Sequence, residues 1–172
     1  MAEKVPLDPL TQATVTVAWV VLLNKPFYPL YVWWLVGSGI QASLWTLVSV
    51  PFFLLIIYLG PRNPLAARIA LPLVGAVDTL FETMLFGYDS GTELFLAPCI
   101  MLVALSFYSE EKWWQRGMAA LLFVVFFAAH DRLGAALHEW SPSESALLNI
   151  NVFAVASLMA FIAIRYAGIP RR

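Results

Sequence analysis

The chain is divided into long apolar runs of about 17–24 residues, separated by short clusters of turn-forming residues. About 20 apolar residues in a helix match the ~30 Å hydrocarbon core of a bilayer. No water is present there to satisfy exposed backbone, so such a run folds as a helix. Period-2 alternation in segments of about 10 residues, the mark of a membrane barrel, is absent. The 172 residues are 61% hydrophobic and 12% charged. A soluble domain of this size could not hide that much apolar surface. The expected fold class is all-α: a polytopic transmembrane helical bundle forming one integral membrane domain over residues 1–172.

Six spans are predicted: Ala13 to Val36, Gln41 to Leu59, Ala66 to Phe86, Thr92 to Tyr108, Gln115 to Leu137 and Ala146 to Tyr166. The breaks carry turn chemistry, as in Gly60-Pro61-Arg62-Asn63-Pro64 and Gly87-Tyr88-Asp89-Ser90-Gly91. Asn24-Lys25-Pro26 interrupts the first run, because Pro26 lacks a backbone donor and clashes with the turn before it. A kink or a short unwound segment is expected there. The alternative is five spans, with an interfacial helix ending near Leu23 and one long span after it. The N-terminus lacks the basic start and cleavage site of a signal peptide, so the first run reads as a retained span.

Lys and Arg mark one side. Lys4, Arg62, Arg68, Lys112, Arg116, Arg165, Arg171 and Arg172 fall at the termini and the even connections, whereas the odd connections hold Asp89, Glu139 and Glu144. By the positive-inside rule both termini are expected on the cytoplasmic side. Trp33, Trp34, Trp113, Trp114 and Trp140 fall near the expected interfaces, where amphipathic rings anchor. The net charge of −1 gives no basic surface for nucleic acid. Cys99 is the only cysteine, which excludes an intrachain disulfide and a structural Cys zinc site. It reads as a small buried hydrophobe.

Six ionisable residues lie within or against the apolar runs: Lys25, Asp78, Glu82, His130, Asp131 and Arg132. Charge in hydrocarbon is costly, so each is a candidate ligand-binding residue. At 1.5 Å per residue, Lys25 and Asp78 come out about 18 Å above the cytoplasmic ends of their spans. Glu82 and His130 come out at about 22–24 Å. The polar groups are therefore expected to gather in the outward half, over an apolar lower half. Asp78 and Glu82 are four apart and share one helix face. They need a counter-charge, a bound cation or a shared proton; Lys25 is the nearest candidate by depth, and Arg132 the next. A divalent metal on Asp78, Glu82 and His130 is one alternative occupant. No resident cofactor is expected. His130 and His138 are about 12 Å apart along one helix and cannot sandwich one haem. No motif for nucleophilic or phosphate chemistry is present, so the chain does not read as an enzyme.

The stretch from Arg68 to Tyr108, with LFGYDSGTELFLAPC at its centre, resembles the middle helices of six-span membrane domains in bacterial signalling proteins. In those proteins the module precedes a class III nucleotide cyclase, diguanylate cyclase or histidine kinase domain. The chain is equally similar to free-standing bacterial inner-membrane proteins of unassigned function. The resemblance covers about two-thirds of the chain and departs where no catalytic domain follows Ile169-Pro170-Arg171-Arg172. It implies a receptor-like bundle and supplies no catalytic residues. The expectation is a sensor or regulatory module that binds a small ligand, proton or cation and signals to a protein partner. The alternative is an accessory or assembly subunit of a larger membrane complex. A homo-oligomer is compatible with either.

Overall fold

The computed structural model describes residues 6–37, 39–130, 132–133, 136–137 and 144–170. Every regular element among them is helical. The first span, Pro9–Val36, is built from α1 (Pro9–Asn24), a 3₁₀ turn (Lys25–Phe27) and α2 (Tyr28–Val36). The second, Ile40–Leu59, joins α3 (Ile40–Leu44) through a 3₁₀ stretch (Trp45–Ser49) to α4 (Val50–Leu59). The third is α5 (Pro64–Phe86). Then come α6 (Leu96–Leu105), α7 (Lys112–Ala129) and α8 (Glu144–Tyr166). By length and composition four helices among the described residues can cross a membrane: the first three spans and Ala146–Tyr166 of α8. Thr92–Leu105 and Ser109–Ala129 pass only together, bent by 114°, and would make a fifth if the pair is one span.

Three of the 3₁₀ segments contain or adjoin a proline: Pro26 lies inside one, while Pro51 and Pro98 follow the other two. A proline inside a span removes one ladder bond and crowds the preceding turn, and the tighter 3₁₀ winding accommodates it. The second span shows how the backbone is kept satisfied. Ser43, Thr46 and Ser49 each donate to the carbonyl three residues back, at 2.8, 2.7 and 3.0 Å. The three-residue spacing of the hydroxyls matches the three-residue turn.

α7 ends at Ala129, short of the expected Leu137, because His130 leaves helical geometry at φ −55° and ψ 123°. The Tyr88 hydroxyl terminates it. It donates to the Ala129 carbonyl and accepts from the backbone N–H of Arg132 and Leu133, at 3.1 and 3.2 Å. The Ala129 carbonyl, left open by the missing ladder, thus accepts from the Tyr88 hydroxyl as well as from the Arg132 N–H, at 3.0 Å.

The main core joins α1, α4, α5, α6 and α8 through Leu10, Val17, Phe53, Ile56, Leu71 and Ile162. Between helices in lipid, close approach of small residues replaces the hydrophobic drive. Gly75 is such a point, since a Cβ there would lie 2.8 Å from Cys99 Sγ on α6. Cys99 is buried, as expected.

Polar contacts fix the direction of each helix. Asp8, just before α1, pairs with Arg68 near the start of α5, while Lys25, at the end of α1, pairs with Asp78 and Glu82 near the end of α5. The first and third spans therefore run parallel. α8 runs against them: Asn151 meets Tyr28 at 3.3 Å, and Tyr166 meets Thr14 at 2.9 Å. The start of α1 and the end of α8 share one end of the bundle, here the Arg68 end. The opposite end holds Lys25.

The Arg68 end overturns the expectation of an apolar half. Arg68 is 3% exposed. Its guanidinium bonds the Asp8 carboxylate, the Thr11 hydroxyl at 2.7 Å and the Glu111 carboxylate, and lies over the Tyr108 ring. Asp8 also caps α1 through the Thr11 N–H, at 3.0 Å, and accepts from the Tyr108 hydroxyl at 3.0 Å. Nearby, the Tyr166 hydroxyl joins Thr14 to Ser106, tying α8 to α1 and to the end of α6.

Two measurements check this packing. Gly75→Ala is expected to cost about 1–3 kcal/mol by overpacking, with most of the loss recovered when Cys99→Ala is added, in detergent unfolding titrations. The second concerns acid. Burial pushes the Asp8 carboxyl up, but the Thr11 hydroxyl and N–H, the Tyr108 hydroxyl and Arg68 together outweigh it and hold Asp8 below its ordinary 3.8. Its contribution is therefore present above pH 3.8 and lost as pH falls below that value through the lowered pKa. Asp8→Asn should flatten that acid limb of the stability profile.

Candidate functional site

The break in the first span places Lys25. Pro26 forces the 3₁₀ turn, and Lys25, its first residue, is 8% exposed. α5 presents Asp78 and Glu82 one turn apart on the facing surface. Lys25 Nζ lies 2.5 Å from Asp78 Oδ2 and 2.6 Å from Glu82 Oε1. The Phe53 ring of α4 lies beside the ammonium, 6.0 Å from Nζ to the ring centre. The pairing inferred from depth along the helices is the one the fold makes.

The cluster is not electrically closed. Two carboxylates share one ammonium. Asp78 Oδ1 is buried and has no hydrogen-bond partner among the described residues. An acceptor left unpaired in a low-dielectric interior is costly.

The three side chains lie on the wall of a cavity of about 1120 Å³ between the first span, α5, α6 and α8. The rest of the wall is mainly apolar, with Val17, Leu71, Leu102 and Phe161 among its residues. Small-molecule sites have this composition, a large apolar body with a few converging polar groups, at volumes of ~300–1,000 Å³.

The other expected site residues are elsewhere. His130 Nδ1 lies 2.7 Å from Glu93 Oε1, where the start of the α6 segment meets the end of α7. Its ring stacks on Phe126 and meets Tyr88 edge-on. The grouping of His130 with Asp78 and Glu82 as metal ligands is therefore corrected. Among the described residues no three His, Cys, Asp or Glu side chains form a metal-holding group. Arg132 is exposed, with its guanidinium 5.4 Å from the centre of the Phe127 ring, and does not counter the two carboxylates. A chain that turns out of helix at His130 no longer aims these residues into the bundle. Asp131, His138 and Glu139 lie outside the described residues.

The expected site residues leave out Arg68, which flanks the second connection, and Asn151, one of the polar residues in the first turns of the sixth predicted span. For Arg68 the available signal is its position inside its own predicted span. Asn151 is fully buried; it donates to the Ser90 carbonyl at 2.8 Å and accepts from Tyr28.

The chain matches no known protein family, and no curated protein or solved structure matches it.

Removing the cation and removing one anion should have unequal effects. Lys25→Met leaves two carboxylates facing each other and should cost about 3–5 kcal/mol. Asp78→Asn leaves a one-to-one pair and should cost less than about 1 kcal/mol. Reversible unfolding in mixed micelles measures both, and equal losses would reject this account of the cluster.

Proposed function

We propose that the chain is a bacterial inner-membrane sensor or regulatory module that binds a small ligand, proton or cation and signals to a protein partner. Its site is the cavity beside Lys25, Asp78 and Glu82. The observation that carries this reading is the placement of an electrically incomplete charged cluster on the wall of a large cavity. A buried ion pair is a poor stabilising device, and removing it for apolar packing is often neutral or better. Its position beside a cavity favours use.

Six spans with cytoplasmic termini fit the end-to-end contacts. Ser106, after α6, meets Tyr166 at the Arg68 end, and His130, after α7, meets Glu93 at the other. These contacts favour one crossing for each arm of the bent pair. Arg68, Arg165 and Lys112 gather at one end of the bundle, which the positive-inside rule makes cytoplasmic.

Signalling requires two packings with different affinity for the ligand. Lys25 stands on the 3₁₀ turn that joins the two halves of the first span. Anything that competes for Asp78 changes the pull on that turn. α1 carries the change to Asp8 and Arg68, about 25 Å away along the helix.

Native mass spectrometry from mild detergent, with amide exchange on wild type and Asp78→Asn, tests the reading. The expected result is a bound small molecule, or altered protection of residues 64–70 and 112–116 in the variant. Bare protein together with unchanged exchange at that end would overturn it.

A further inference from the structure

The lining of the cavity is divided by chemistry. Lys25, Asp78, Thr79 and Glu82 stand at one level. From there toward the Arg68 end the walls are mainly aliphatic and aromatic, down to Val17 on α1 and Leu71 on α5, with Cys99 and Ser157 also on the lining. Eight residues separate Lys25 from Val17, and eleven separate Glu82 from Leu71, so the apolar slot is about 12–16 Å long. The cavity also opens sideways. Val20, Leu23 and Phe27 of the first span and Phe153 of α8 line it and are exposed on the apolar flank of the bundle. Bilayer-dissolved molecules therefore have direct access.

The head-group level sets the charge of the guest. The Lys25 ammonium is already engaged by Asp78 Oδ2 and Glu82 Oε1. Asp78 Oδ1 is a buried acceptor with no donor among the described residues, on a side chain only 10% exposed. With all three groups ionised the cluster has one negative charge in excess. A guest that completes it carries one positive charge and at least one N–H. An alcohol supplies a donor but no charge. A quaternary ammonium supplies charge but no donor. An anionic head meets two carboxylates.

The geometry points to a lipophilic primary ammonium as the ligand, with its protonated amine paired to the Asp78 carboxylate and a single apolar chain in the slot, taken up from the bilayer through the side opening. This rests on the reading of the cavity as a binding site and specifies what fills it. No covalent step is involved.

The test uses the full chain in phosphatidylcholine nanodiscs, with empty discs as the partition control. Radiolabelled dodecylammonium is titrated against wild type, Asp78→Asn and Ala154→Trp, the last putting a bulky apolar ring into the cavity from α8 while Lys25, Asp78 and Glu82 are kept. Dodecanol, dodecyltrimethylammonium and ethylammonium are run as competitors. The expected result is saturable binding of one dodecylammonium per chain, weakened at least about tenfold in Asp78→Asn by loss of a charge-assisted hydrogen bond. Ala154→Trp should abolish it, and the three competitors should each be at least about tenfold weaker. Ala154→Trp keeps the test valid if Asp78→Asn fails to fold. Equal competition by dodecanol, or unchanged affinity in Asp78→Asn, overturns the ammonium assignment and leaves the cavity-binding reading intact. No saturable binding to wild type also overturns the assignment; whether the cavity binds anything else is then decided by the native mass spectrum.

Discussion

Opposite charges on two neighbouring helices hold this bundle in one arrangement. The first span carries an anion at Asp8 and a cation at Lys25; α5 carries a cation at Arg68 and anions at Asp78 and Glu82. Placed side by side in parallel, both ends are matched. Turned antiparallel, Asp8 would face two carboxylates and Lys25 would face Arg68. Sliding one helix along the other by a turn would part Asp8 from Arg68 and leave Lys25 against one carboxylate at most. Lipid tails are as apolar as leucine, so greasy contact alone discriminates poorly between such arrangements. Charge and hydrogen bonds supply the discrimination, and the remaining helices pack around the pair they fix.

The first two spans each change to 3₁₀ winding beside a proline, and hydroxyls help satisfy the backbone there. In the second span Ser43, Thr46 and Ser49 return hydrogen bonds to the carbonyls behind them. In the first span the 3₁₀ turn begins at Lys25 itself, so the irregular turn and the charged cluster occupy the same place. Non-helical backbone at membrane depth is tolerated where it is buried in protein or lines a cavity. Lys25 meets both conditions.

The helical character, most helix boundaries and the Lys25–Asp78–Glu82 meeting were legible in the chain. Each depends on a local signal: an apolar run, a turn cluster, or a depth counted along one rod. What was not legible depends on contacts made across the fold. Arg68 looked like a connection residue because its partners, Asp8 and Glu111, are 60 and 43 positions away. The end of α7 depends on Tyr88, from the turn before α6, reaching Ala129. Without that contact the apolar run appeared to continue to Leu137 and to carry His130 and Arg132 inward. A polar pocket in the outward half was expected beside these charges; its long, mainly apolar extension was hidden, since that volume belongs to the gaps between four elements and to no one of them.

Asp8 has two functions on one carboxylate: it starts α1 and it grips Arg68 and Tyr108. A tug on the residues ahead of Pro9 would thus loosen the helix's first turn and its anchorage to α5 in a single event. Whatever attaches to that end of the polypeptide holds a short lever on the whole assembly.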